Sequence, residues 1–159
     1  MKYYNEIKSI INDKVFDSKF YDKKMFEDLQ KEIANIICKL FISKGSNKYL
    51  IIKNIEEYLQ NNVSLRMDYF HFYDNKNENI PKEELKYRKA YSALVKKNTT
   101  CYGYSEAARI LLLIYGIKSK TLLAKLPGEK YRIMHYTTIV EDGDNYIVID
   151  PERRSYTHL

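Results

Sequence analysis

Apolar residues recur every three or four positions through the first part of the chain, the spacing of helices that bury one face. Tyr4, Ile7, Ile10, Ile11 and Val15 predict a helix over 3–16. Met25, Phe26, Leu29, Ile33, Ile36, Ile37, Leu40 and Phe41 predict a second over 22–42, with Cys38 inside its apolar stripe. Gly45-Ser46-Asn47 breaks that helix. A third, over 47–61, sets Leu50, Ile51, Ile55, Tyr58 and Leu59 on one side. The polar run 74–79 reads as a loop, and Pro81 opens a short helix that ends irregularly near Val95.

The pattern then changes. From Cys101 to Tyr115 nearly every side of the helix is apolar, which predicts a helix buried in the core. Thr99 and Thr100 stand where an N-cap is needed, and Gly116 where a helix ends. Three strands follow, over 119–125, 131–141 and 145–150, the first two separated by Pro127-Gly128. Asp142-Gly143 is a strong hairpin signal between the last two. If those two residues form the loop, Glu141 faces Asp144 and, counting back along both strands, His135 faces Asp150. Directly opposed side chains share a face, with Cβ atoms about 4.5–5.5 Å apart. That spacing lets a carboxylate accept a hydrogen bond from an imidazole.

Cys101 adds a nucleophile to this pair. At the start of a buried helix, orphan N–H groups and the helix dipole favour the thiolate. A helix packed on the sheet face that carries His135 would bring together a nucleophile, a base and an orienting acid. The backbone N–H of Cys101 is then a candidate oxyanion donor. Gly103 would let the backbone pack closely beside it. Tyr91, Tyr102, Tyr104 and Tyr136 are candidates for the wall of a substrate cleft. His71 and His158 have no partners at metal-ligand spacing, so neither a metal nor another cofactor is expected.

Composition narrows the setting. The 159 residues suit one domain able to bury roughly 70% of its unfolded surface, and two cysteines exclude a disulfide framework. No apolar run approaches a membrane span, and the N-terminus lacks the apolar core of a signal peptide, so a cytoplasmic protein is expected. The net charge of +6 comes from 27 basic and 21 acidic residues. These are interspersed, and the wealth of Tyr, Asn, Lys and Ile is what an AT-rich genome produces. Charge therefore does not argue for a nucleic-acid partner.

The same residues carry a family resemblance. Ala90-Tyr91-Ser92-Ala93-Leu94-Val95, then Thr99-Thr100-Cys101-Tyr102-Gly103-Tyr104-Ser105-Glu106-Ala107, resembles the nucleophile segment of the transglutaminase-like superfamily. An apolar helix ending in Gly116-Ile117, a strand with His135 and a strand ending in Asp150-Pro151 continue it. Upstream, 52–63 resembles the helix that precedes this segment. The resemblance covers roughly 47–152 and implies an α+β, papain-like core in a small bacterial-type member. It also implies a catalytic triad of Cys101, His135 and Asp150. Tyr136-Thr137 departs from the Ala-Trp that often follows the histidine, and no acidic cluster suggests the calcium sites of animal transglutaminases.

The expected architecture is an N-terminal helical segment, 1–46, and a transglutaminase-like catalytic core, 47–159, in one compact domain. The expected activity is cysteine-dependent hydrolysis of peptide or amide bonds through a thioacyl intermediate, with a peptide or protein as substrate. The alternatives are a glutamine acyltransferase or deamidase using the same chemistry, and a catalytically silent adaptor with the same fold.

Overall fold

A computed structural model describes residue 5 and residues 22–40, 42–43, 45–66, 89–125 and 134–151. Apart from Asn5, the helix expected over 3–16 lies outside the described residues. So do the loop at 74–79, the stretch 81–88, Pro127-Gly128, the strand start at 131–133, His71 and His158.

The described chain is mixed α and β. Helix α1 (Lys23–Leu40) is capped by Asp22, whose Oδ1 accepts the Met25 N–H at 2.8 Å. Its stripe buries Leu29, Ile33 and Ile36. Cys38 is exposed, which corrects its expected core position. Two residues beyond Ile36 is a rotation of about 200°, which carries Cys38 round to the solvent side. Helix α2 (Lys48–Asn62) starts at Asn47, whose side chain accepts the Leu50 N–H at 2.9 Å. It buries Ile51, Ile52, Ile55, Tyr58 and Leu59. Leu50 was expected on that face but is 47% exposed, and Ile52 takes the inward place.

Next come a two-residue strand β1 (Ser64–Leu65), a five-residue helix α3 (Ala90–Leu94) and a two-residue strand β2 (Asn98–Thr99). The parallel β1–β2 pair was not foreseen, because two residues are too few to show a period. Between α3 and β2, Lys97 sits at φ 59°, a left-handed conformation that a side chain rarely adopts. Its Nζ donates to the Tyr58 hydroxyl at 3.0 Å and to the Leu94 carbonyl, and pairs with Glu32 at 3.3 Å. One side chain thus ties the turn to α1, α2 and α3, which compensates for the backbone strain.

Helix α4 (Cys101–Ile114) is the centre of the core. Eleven of its fourteen residues are buried, from Cys101 to Leu112 with Arg109 omitted. Gly116 closes it at φ +80° in a Schellman arrangement: Gly116 N–H donates to Leu113 O and Ile117 N–H to Leu112 O. Strands β3 (Lys120–Lys125), β4 (Met134–Asp142) and β5 (Asn145–Ile149) then form an antiparallel sheet with β4 central. Leu29, Ile33 and Ile36 of α1 share one core with α2, α3, α4, Val140 and Ile149.

The hairpin register differs from the expected one. Asp142 pairs with Asn145, so Gly143-Asp144, not Asp142-Gly143, forms the loop. Gly143, at φ +62°, takes the position that needs a left-handed backbone. The whole ladder shifts accordingly: Thr138 pairs with Ile149, and one further step sets Asp150 opposite Thr137. His135 and Asp150 are therefore diagonal rather than directly opposed. Because the offset is two residues, they remain on one face.

Candidate active site

The site is assembled where α4 starts. Thr100 occupies the N-cap position with extended backbone, and its carbonyl accepts the Tyr104 N–H at 3.0 Å. Its hydroxyl makes no cap bond, contrary to expectation, and Thr100 Oγ1 is buried without a hydrogen-bond partner. Cys101 follows, fully buried at the positive end of the helix dipole. Gly103 is dictated by space. A Cβ there would lie 1.7 Å from Thr99 Oγ1 and 3.1 Å from the Lys89 carbonyl. Thr99 is itself held by Ser92, with 2.6 Å between the two hydroxyls. The motif glycine is therefore the residue that lets α3 and β2 close onto the first turn of α4.

Two glutamates that the sequence reading did not single out help to build this corner. Glu106, one turn beyond Cys101, is 1% exposed, and its Oε1 accepts the Ala90 N–H at 2.9 Å, fastening the start of α3. Its signal was present: one carboxylate inside an otherwise apolar helix must have a buried partner. Glu56 of α2 accepts the Asp150 N–H on its Oε2 at 3.2 Å. Burial pushes its carboxyl above the usual range, and the charges of Asp150 and Glu57 push the same way. Nothing in local sequence marks Glu56, since the two residues lie far apart in the chain.

His135 and Asp150 meet. His135 Nε2 lies 2.7 Å from Asp150 Oδ2, and the two side chains are 5% and 13% exposed. With Nε2–H donating to the carboxylate, Nδ1 is left as the nitrogen able to accept a proton. The start of α4 lies beside the start of β4, for Tyr102 and Tyr136, the residues immediately after Cys101 and His135, touch edge to face at 4.9 Å. One turn further on, Ser105 Oγ lies 2.8 Å from Thr138 Oγ1 and donates to the Thr137 carbonyl at 3.2 Å. Tyr136 and Thr138 are thus among the β4 side chains that this helix touches. The helix packs against β4 through these residues. It brings Cys101 to the end of the strand where His135 stands.

Of the four tyrosines expected on a cleft wall, Tyr104 belongs to the core instead. It is 4% exposed and its hydroxyl donates to the Val63 carbonyl at 2.6 Å. Tyr102 is buried against Tyr136, itself half-buried, and Tyr91 is half-buried beside Lys96.

Solved structures supply a fold comparison. The fold is similar to that of a TGase. That crystal structure, described as "a TGase", superposes with a TM-score of 0.68 at 16% sequence identity, over 95% of this chain and 38% of the other. The likeness is one of fold, consistent with the α+β architecture described above. No protein-family model matches the chain, and no curated protein matches its sequence. Among the described residues no helix is long and apolar enough to cross a membrane.

Proposed function

We propose that the protein is a cysteine-dependent hydrolase of peptide or amide bonds. The His135–Asp150 hydrogen bond at 2.7 Å, at the strand end beside the start of the Cys101 helix, carries this reading. Asp150 orients the imidazole and stabilises its cationic form. His135 takes the Cys101 proton on Nδ1. Sγ then adds to the substrate carbonyl, and N–H groups of the first helical turn stabilise the oxyanion. The leaving amine takes the proton from His135. Water, deprotonated by the same nitrogen, hydrolyses the thioacyl intermediate.

The similarity to a TGase favours a second reading within the same chemistry, in which an amine rather than water receives the acyl group. Diversion of product from acid to amide by added amine separates the two.

The first test is alkylation of Cys101 by iodoacetamide from pH 4 to 9, in protein with intact His135 and in His135→Ala. Both need the Cys38→Ala background, because Cys38 is exposed and would react. Fast alkylation well below pH 8 that disappears in His135→Ala supports the thiolate–imidazolium pair. An ordinary titration near 8.5 in both proteins overturns it.

A further inference from the structure

The amide of Asp150 lies one residue past the last ladder pair of β5, Thr138 with Ile149. Ile149 before it is fully buried in the core, and Pro151 after it is buried and lacks an N–H. A strand end in this setting needs an acceptor for its N–H. The acceptor is the side chain of Glu56, which reaches across from α2 to the Asp150 N–H at 3.2 Å.

A carboxylate is an expensive choice for that task. Glu56 is half-buried beside the charge of Asp150, with Glu57 next to it on its own helix. A neutral acceptor would satisfy the same N–H without placing two like charges together. A second negative charge behind Asp150 does, however, favour the protonated imidazole of His135. We infer that Glu56 is a positioning residue for the proposed reaction: it fixes the Asp150 backbone and supports the His135–Asp150 pair from α2. This rests on the reading of His135 and Asp150 as a catalytic pair.

The test reads His135 directly, without Cys101 chemistry. The ring resonances of the chain's three histidines are followed by NMR against pH in the unsubstituted protein, Glu56→Gln, Glu56→Ala and Glu56→Leu. His135→Asn identifies the His135 signal. Glu56→Leu keeps the side-chain bulk but has no acceptor, and serves if Glu56→Ala does not fold. The His135 midpoint is expected to fall by about one pH unit in Glu56→Ala and Glu56→Leu. Glu56→Gln keeps an acceptor but no charge, and its midpoint should lie between these variants and the unsubstituted protein. A merely structural role would lower thermal stability and leave the midpoint in place. An unchanged His135 midpoint in a folded Glu56→Leu or Glu56→Ala overturns the inference. If the midpoint moves but Cys101 alkylation is independent of His135, the hydrolase reading fails and the Glu56–Asp150–His135 linkage stands.

Discussion

The β4–β5 hairpin carries an aspartate at each end, and the two ends use similar contacts to different effect. At the turn, Asp142 receives Lys48 Nζ at 3.1 Å and the Tyr49 hydroxyl at 2.9 Å from each oxygen. Hydrogen bonds from Lys48 and Tyr49 hold its carboxyl below the usual range, and the hydrogen bond to Asp142, followed by its charge, pushes the Tyr49 phenol up. At the other end, Asp150 receives His135 Nε2 at 2.7 Å and offers its own N–H to Glu56. The turn aspartate thus receives an ammonium and a phenol hydroxyl. Yet Tyr49 is 59% exposed and water competes for every group there, whereas the His135 and Asp150 side chains are nearly enclosed. Partner number does not set the weight of such a cluster; exclusion of water does. A cavity of about 500 Å³ lies on the turn side, lined by Lys48, Ile117, Lys118, Lys120, Ile139 and Glu141. None of the candidate catalytic residues lines it.

Asp150→Asn should break the comparison most sharply. It removes the charge that holds the imidazolium. A thiol of ordinary pKa is only about 0.3% ionised at pH 6. The alkylation rate of Cys101 at pH 6 should therefore fall about a hundredfold in the Cys38→Ala background, and a change below threefold would contradict the triad. Gly103→Ala comes next. Overpacking against Thr99 and the Lys89 carbonyl costs about 3 kcal/mol, and better helix propensity returns about 1, leaving a net loss of about 2 kcal/mol. Urea unfolding measures it, and adding Thr99→Ala should recover part of the loss.

Tyr104→Phe leaves the buried Val63 carbonyl without the phenol donor, and should cost about 1 kcal/mol in the same assay. It should leave the pH profile of Cys101 alkylation in place. Asp142→Asn should have the smallest effect, within the scatter of a urea titration at pH 7. Its pH signature has a definite sign. The folded-state pKa of Asp142 is lowered, so its contribution is present above the ordinary carboxylate pKa and is lost as pH falls through the lowered one. The difference in Tm between the two proteins should therefore vanish in acid rather than grow. A difference that persists unchanged at pH 2 would show that the carboxylate's charge contributes nothing.

Much of this was legible in sequence, for reasons that can be named. Helical spacing located α1, α2 and α4 because long elements repeat their pattern several times. The apolar surround of 101–115 announced burial without saying what would cover it. Cys38 and Leu50 misled because membership of an apolar run was read as membership of the inward face, and on a helix the angle decides. The hairpin was recognised from Asp142-Gly143, but the loop begins one residue later, since the glycine occupies the first of the two turn positions. That error left His135 and Asp150 on one face only because the resulting offset is even.

The sequence by itself determined the long helices, the strands of the antiparallel sheet, the glycines at positive φ and the shared face of His135 and Asp150, because each depends on spacing within a few residues or across one short turn. Only the tertiary structure decided which residues support that pair. Glu56 lies 94 positions from Asp150, and Lys97 joins three helices that are separate in sequence. Such contacts are selected by burial and by the need to satisfy each enclosed polar group, and no local period encodes them.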